Sequence, residues 1–388
     1  MSVPHIPALD GARGLAAVGV LVHHVVLVWA PHTRQAYAAD TAVIDSPLPW
    51  LLAYTPLHLP WLGTANVLVF FALSGFVLVR PFLERSRPSV IRFWTARSVR
   101  LYLPAWGSIV IAVVVSGFVA SAVGSDTAPP TIRRAAVDAL LLPTYVSNEV
   151  NGVLWSLAWE VAFSVAVPGI AVGLRAVLRL SDRRAPVATA LLVAVPLGLL
   201  VLSVPLSDRA GEAALYSAVF LGGTALATAM HARPRHAPSP IADQVRPAVT
   251  TLVVIGLAVA LCARWLVLPS APQPWVLQTA DAVSAAGSVG VVWFVVVSAP
   301  TQRLLSTRVA VWTGRLSFSM YLTHAVVLEG VWALSGGAVW AIPIALIVVW
   351  IVATAFRWSV EKPSHAVARR VMRSKTVDRR DLAAALVR

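Results

Sequence analysis

The chain has 388 residues, of which 58% are hydrophobic and only 12% are charged, and its mean hydropathy is +0.77. Soluble domains usually carry about 25% charged residues, so this chain has too few charges to cover a soluble fold of its size. Its single cysteine excludes a disulfide-rich scaffold. The composition therefore indicates a polytopic membrane protein.

Ten apolar stretches follow one another along the chain, separated by polar, Pro or Gly residues. Each is close to the roughly 20 residues that a membrane-spanning helix needs. They lie near 14–31, 62–79, 101–122, 152–174, 187–205, 213–230, 248–268, 278–298, 308–334 and 338–356. The sequence predicts an all-α fold of about ten transmembrane helices.

The basic residues predict the orientation, because Lys and Arg collect on the cytoplasmic side of short loops. With a cytoplasmic N-terminus, the cytoplasmic segments hold 25 of the 31 Lys and Arg residues and the outer loops hold five. Both termini are thus predicted to be cytoplasmic, together with Arg85, Ser181 and Pro238. A basic face on inner-leaflet lipid accounts for the net charge of +14 without any nucleic acid.

The ends of the chain carry two further predictions. The first span lacks a basic n-region and a small-residue cleavage site after Trp29, so we expect it to be retained. Residues 1–363 are predicted to form the transmembrane domain and 364–388 a basic cytoplasmic tail. Two interpretations of the tail remain open: an amphipathic helix on the membrane surface, or a solvated segment.

Ionisable residues inside spans are costly and are candidates for function. Arg13 and His24 are eleven residues apart, so they share one face of a helix at a separation of about 16 Å. The adjacent His23 faces elsewhere. The alternative is that His24 is a structural residue hydrogen-bonded to a neighbouring helix.

Glu160 lies within an apolar span and needs a cationic partner, for which Arg13, Arg97 and Arg100 are candidates. Arg97 and Arg100 lie three residues apart on one helical face at the entry to the third span, just after Arg92. Spacing alone favours the interpretation of these arginines as topological anchors on the cytoplasmic side.

A second polar group occurs near the end of the chain. Ser317, Tyr321 and His324 fall on a connected helical face, and Glu329 and Glu361 lie beyond them. The sequence has no metal-binding spacing, no nucleotide-binding loop and no nucleophile elbow, so no metal site is predicted.

Five blocks together identify a family resemblance that covers about residues 5–365. They are LDGARGLA at 9–16 with His24, FFALSGF at 70–76, RSVR at 97–100, WSL at 155–157 with the E-x-x-F and Pro positions of 160–168, and SFSMYLTH at 317–324 with VEKP at 360–363. In this order they resemble the acyltransferase-3 family of integral-membrane acyltransferases. That family includes bacterial O-antigen and peptidoglycan acetylases and macrolide acyltransferases.

The chain departs from the family pattern at several positions. Ser164 stands where the family usually has Tyr, and Leu68 replaces a frequent Asp. Trp159 and the pair at 161–162 replace a polar run around Glu160. We also expect a stand-alone version of the family, without a C-terminal SGNH-type esterase domain.

The resemblance implies transfer of an acyl group from cytoplasmic acyl-CoA, either acetyl-CoA or a longer one, to a hydroxyl. The acceptor would be a glycan, a glycosylated natural product or a macrolide. A neutral imidazole suits the role of general base, which the resemblance assigns to His24. Arg13 would bind phosphate, pair with Glu160 or stabilise the oxyanion, and Glu160 would act as a counter-ion or take part directly.

Acyl-CoA is expected as a co-substrate, with no permanently bound cofactor. Guanidinium groups suit phosphate, so the donor-binding residues are predicted to be Arg92, Arg97 and Arg100, with Ser74 and Tyr321. The expected location is the bacterial cytoplasmic membrane, as a multi-pass protein in contact with lipid.

Two alternative functions remain open at this point. A secondary transporter would also have about ten spans with buried Arg, His and Glu residues. A non-catalytic relative would export acyl groups or polysaccharide. An assay of acyl-CoA hydrolysis or transfer in liposomes distinguishes these functions from the enzyme.

Overall fold

The structure is a computed structural model that describes residues 5–30, 33–34, 46–84, 87–124, 130–143, 149–206, 208–232, 247–270 and 273–373, without the side chains of 180–185, 208, 247 and 373. Every regular element of the described chain is a helix, which confirms the all-α fold. Arg85, Pro238 and the side chain of Ser181 lie outside the described residues, so their predicted location stays a prediction.

The helices are numbered in chain order. The first seven are α1 Pro7–Trp29, α2 Pro47–Tyr54, α3 Thr64–Leu83, α4 Val90–Val123, α5 Ile132–Asp138, α6 Leu154–Ser203 and α7 Asp208–Ala232. The next seven are α8 Pro247–Leu261, α9 Ala263–Val267, α10 Pro274–Val297, α11 Ala299–Leu305, α12 Arg308–Leu334, α13 Ala341–Phe356 and α14 Lys362–Arg373. Short 3₁₀ turns cover Pro56–Trp61 and Leu268–Ser270, and a π turn, Arg357–Glu361, joins α13 to α14.

Eight helical segments of the described chain are long and apolar enough to cross a membrane. Two of them lie in α6, at Leu154–Arg179 and Pro186–Ser203, and a ninth span results if α8 and α9, which are bent by 68°, form one broken span. Helix α12 has 27 residues and is more polar, but its length of about 40 Å exceeds the hydrocarbon core. With α12, these segments match the ten predicted stretches one for one.

The last helical segment is longer than the sequence predicted. Through the π turn, helical backbone continues from α13 into α14, which packs against α4 and ends at Arg373. The predicted tail from residue 364 therefore begins as helix. The remaining residues of the tail lie outside the description, so the proposed domain boundary is not tested.

Helices α1 and α12 pack closely against each other because glycines meet at their interface. A Cβ atom on Gly314 would lie 1.9 Å from the carbonyl oxygen of Asp10, and one on Gly14 would lie 2.6 Å from the Gly314 nitrogen. No side chain fits at these distances. The close approach holds the polar residues of α1 beside those of α12.

Helices α3 and α7 meet in the same way. A Cβ atom on Gly75 would lie 2.1 Å from the carbonyl oxygen of Phe220, and one on Gly223 would lie 2.1 Å from that of Ala72. The glycine of the FFALSGF block is thus a packing residue. It lets α3 lie deep in the bundle, where Ser74 reaches the site described below.

We expect Gly314→Ala to lower the thermal stability of the purified protein, because overpacking a tight contact costs about 1–3 kcal/mol. Gly169→Ala is the matched control, since nothing lies within 4 Å of its added Cβ. Alanine there should leave the melting temperature unchanged or raise it slightly. Equal melting temperatures for the two variants, measured in the same detergent, would contradict the close approach of α1 and α12.

Candidate functional site

Two cavities lie inside the helix bundle and share two lining residues. The arginine cavity, of about 310 Å³, is lined by Arg13, Arg97, Arg100, Arg315 and Arg357 among others. The histidine cavity, of about 600 Å³, is lined by His23, His24, Trp155, Trp159 and Tyr216 among others. Tyr321 and Val67 line both cavities.

Positive charge exceeds negative charge in the arginine cavity. Its lining has five arginines but only three carboxylates, on Asp10, Glu160 and Glu361. Each carboxylate already has a partner: His5, Arg97 and Arg357 respectively.

Three arginines of this cavity have no carboxylate within 4 Å in the described part of the chain: Arg13, Arg100 and Arg315. Unpaired guanidinium groups in a cavity of a membrane protein are costly unless an anion neutralises them. Planar guanidinium groups bind phosphate by two parallel hydrogen bonds. The arginine cavity therefore suits an anionic, phosphate-bearing ligand.

Glu160 is the centre of a network that joins α3, α4 and α6. Its carboxylate forms a close ion pair with Arg97 and accepts a hydrogen bond of 3.2 Å from the Ser74 hydroxyl. The Nε of Arg97 donates to the Ser164 hydroxyl at 2.9 Å, and this hydroxyl donates to the Glu160 carbonyl oxygen at 2.7 Å. Of the three partners that the sequence left open for Glu160, the structure places Arg97 there.

The network also gives a role to Ser164, one of the positions at which the sequence departs from the pattern that it resembles. Its short side chain leaves room for the Arg97 guanidinium to lie against α6 and binds it directly. Arg97 is 11% exposed and Glu160 24% exposed, so the ion pair is largely removed from water.

A second carboxylate network also borders the arginine cavity. Glu361, in the π turn, is 4% exposed and accepts hydrogen bonds from Arg357 at 3.3 Å and from the Ser319 hydroxyl. His365, one turn further along α14, also lines the cavity. π turns occur frequently at functional sites, and this one brings both ends of the Arg357–Glu361 pair to the cavity.

Two histidines from α1 and α12 form a direct contact beside the histidine cavity. The Nδ1 atom of His24 lies 2.9 Å from the Val20 carbonyl oxygen and 3.2 Å from Nε2 of His324. The Nδ1 atom of His324 lies 2.8 Å from the carbonyl oxygen of Tyr321 and 3.0 Å from that of Met320. His324 is buried, whereas His24 is partly open to the cavity.

His23 also borders the histidine cavity but has a different environment. It is only 2% exposed, its Nδ1 lies 3.2 Å from the Trp61 carbonyl oxygen, and its ring stacks on Trp61. The 3₁₀ turn that carries Trp61 also carries His58, whose ring is enclosed by Trp61 and Trp265. Burial lowers the pKa of His58 to about 3, so it adds no charge to this region at neutral pH.

Tyr321 lies where the two cavities meet, together with Val67. Its hydroxyl oxygen lies 2.6 Å from the Ser156 hydroxyl oxygen, and its ring packs edge-on against Phe70. The side chain is thus held across the junction by one helix on each side.

The structure brings seven of the eight predicted site residues to these cavities. Six line the arginine cavity and one lines the histidine cavity; the six are Arg13, Ser74, Arg97, Arg100, Glu160 and Tyr321, and the seventh is His24. Arg92 lines neither, although it lies on the same helix as Arg100. Its predicted contact with the donor is therefore not supported by the described site.

Sequence reasoning did not assign Arg315, Arg357 or His365 to the site. Arg315 stands two residues before Ser317, at the start of the polar run on α12, and this position was its one local signal in the sequence. Arg357 and His365 reach the cavity through the π turn, which no local pattern revealed. Within the residues described, no group of three or more His, Cys, Asp or Glu side chains is arranged to hold a metal ion.

The fold and the site define an all-helical membrane protein in which an arginine-rich cavity adjoins a histidine-lined one. The chain belongs to the acyltransferase-3 family of membrane acyltransferases: the family model, described as an acyltransferase domain, matches residues 6–358. The acyltransferase MdmB of Streptomyces mycarofaciens is 30% identical over 174 residues, which are 43% of this chain and 39% of that protein. The chain thus matches about two fifths of that relative's length. No solved structure matches it.

Proposed function

We propose that this protein transfers the acyl group of acyl-CoA, bound in the arginine cavity, to a hydroxyl of an acceptor bound in the histidine cavity. The observation that carries this proposal is the meeting of the two cavities at Tyr321. One cavity has unpaired cations suited to the phosphates of the donor. The other contains an imidazole suited to activate an alcohol.

The donor site is proposed to face the cytoplasm. The arginine cavity is lined from the N-terminal parts of α1 and α4 and from the π turn that follows α13. The segments that flank these helix ends are the ones for which the basic residues predict a cytoplasmic location. In the proposed location, a bacterial cytoplasmic membrane, the cavity would thus open to the compartment that contains acyl-CoA.

In the donor site, Arg13, Arg100 and Arg315 would bind the phosphate groups, because their guanidinium groups have no carboxylate partner among the described residues. Arg97 is instead engaged by Glu160 and Ser164. This favours Glu160 as a counter-ion that positions α3, α4 and α6 around the donor. Arg13 lies on the same helix as His24, so it would place the donor relative to the base.

The chemical step follows from the proposed role of His24. The acceptor hydroxyl gives its proton to Nε2 of His24, and its oxygen attacks the carbonyl carbon of the thioester. The carbon–sulfur bond then breaks, and the CoA thiolate takes the proton from Nε2. The products are the acyl ester of the acceptor and free CoA, and His24 returns to its neutral form.

Purified protein in lipid nanodiscs tests this function by the release of CoA thiol from acyl-CoA, with and without hydroxyl acceptors. We expect Arg100→Gln to raise KM for acyl-CoA about 10-fold or more, because a hydrogen bond to a charged group contributes about 1.5–3 kcal/mol. Arg308→Gln, exposed at the start of α12, is the matched control and should keep the wild-type KM.

Two results would contradict the proposal. Equal KM values for the Arg100 and Arg308 variants would remove the arginine cavity as the donor site. No CoA release by the wild type, combined with movement of a solute across proteoliposomes, would favour a transporter or an exporter of the same fold.

A further inference from the structure

We propose that His324 is a positioning residue that holds His24 in one tautomer, with the proton on Nδ1 and the lone pair of Nε2 free for the acceptor hydroxyl. The inference rests on the proposed function, because it concerns the residue proposed there as the base. It assigns to α12 a part in the reaction beyond lining a cavity.

The tautomer of His324 follows from its own neighbours. Its Nδ1 atom lies 2.8 Å from the carbonyl oxygen of Tyr321 and 3.0 Å from that of Met320. Carbonyl oxygens only accept hydrogen bonds, so Nδ1 of His324 has to carry the proton. A neutral imidazole has one N–H group, and its other nitrogen, Nε2, therefore has a lone pair.

This lone pair determines the tautomer of His24. Nε2 of His324 lies 3.2 Å from Nδ1 of His24, and the Val20 carbonyl oxygen lies 2.9 Å from the same Nδ1 atom. Both neighbours are acceptors, so Nδ1 of His24 donates and is protonated. In neutral His24 the remaining nitrogen, Nε2, then has no proton and can accept one.

The Val20 carbonyl alone would be a weaker constraint, because it belongs to the preceding turn of the same helix and moves with it. His324 comes from a different helix, is 1% exposed, and is held next to α1 by the contact of Gly14 with Gly314. Its ring meets that of His24 nearly edge to face, at a centroid distance of 4.7 Å. The pair thus fixes the orientation of His24 as well as its proton.

His324 also suits the charged state of the reaction. When Nε2 of His24 takes the acceptor's proton, the imidazolium has N–H groups on both nitrogens. The Nδ1–H group still donates to the lone pair of His324, which stabilises the positive charge in an environment of low polarity. The proton on Nδ1 does not have to move, so His324 needs no change of protonation.

The tautomer is measured directly by ¹⁵N NMR of the full chain in nanodiscs, labelled at its nine histidines, with the His24 signals assigned by comparison with His24→Asn. We expect wild-type His24 to show a protonated Nδ1 and an unprotonated Nε2. In His324→Leu, His24 should show a mixture of tautomers or the opposite one. In His324→Gln, whose side-chain oxygen is an acceptor, the wild-type tautomer should be largely restored.

Kinetics on the same proteins provide the second readout. His324→Leu should lower kcat for CoA release about 10–100-fold, by analogy with the loss of a partner that orients a metal-ligating imidazole, with KM for acyl-CoA unchanged. His324→Gln should recover part of the loss. Thr323→Val, equally buried on α12, is the control for packing and should keep the wild-type kcat.

The kinetic and NMR outcomes distinguish a failure of the proposed function from a failure of the positioning role of His324. If the wild type does not release CoA, the proposed function fails, while the NMR measurement still decides the role of His324. A wild-type His24 protonated on Nε2, or an unchanged tautomer in His324→Leu, would overturn the inference. A fall in kcat with an unchanged tautomer would show that His324 acts only through packing.

Discussion

His24→Ala should lower the turnover of acyl-CoA by about 10²–10⁴-fold, the usual loss when a general base is removed, with nearly wild-type expression. The reason is that His24 is partly open to the histidine cavity and its Nε2 is the nitrogen left free by the contacts at Nδ1. The measurement is CoA release in nanodiscs at equal protein concentration, with the melting temperature recorded for each variant.

His23→Ala is the natural comparison, because it removes the adjacent imidazole. His23 is buried against Trp61 and Gly63, so its loss leaves a void and should lower the melting temperature with little effect on turnover. The opposite pattern, an inactive His23 variant and an active His24 variant, would show that the assignment of the base is wrong. The role proposed for Arg13 would then fail with it.

Glu160→Gln should destabilise the protein by about 3 kcal/mol, since it leaves the largely buried guanidinium of Arg97 without a counter-charge. Arg97→Gln should have an effect of similar size. The double variant should be more stable than the sum of the two single effects predicts, because neither charge then remains unpaired. Thermal or denaturant unfolding of the four proteins in one detergent measures this coupling.

The exposed ion pair of Arg134 with Glu149 is the control for this experiment. Its side chains are 56% and 50% exposed, and exposed pairs typically contribute about 0–1 kcal/mol. Arg134→Gln should therefore change stability little. Additive effects of the Glu160 and Arg97 substitutions would mean that the two side chains do not interact in the folded protein.

The helical architecture was predictable from the sequence because a membrane imposes a length on every span. Apolar stretches of about 20 residues define the spans without knowledge of any tertiary contact. Polar residues within the spans also indicate the site. Because such residues are costly in a membrane, function is the main reason for their presence there. Arg13, His24 and Glu160 were found in this way.

The partners of these residues were not predictable, because they depend on how the helices pack. Arg97 and Glu160 are separated by 63 positions and Ser319 and Glu361 by 42, and three arginines were candidate partners for Glu160. The contact of His24 with His324 spans 300 positions. It depends on glycines whose role becomes visible only when the two helices are placed together.

Tyr321 has a further consequence that concerns the membrane rather than the reaction. If the arginine cavity opens to the cytoplasm as proposed, and the histidine cavity to the other side, Tyr321 with its bond to Ser156 lies between two water-accessible spaces, next to Val67. A membrane potential of 100 mV acts on a unit charge with about 2.3 kcal/mol, and much of that voltage would fall across this thin layer. In that arrangement the phenol ring would also serve as electrical insulation, and the proposed acyl transfer would have to take place beside it without opening a leak for protons.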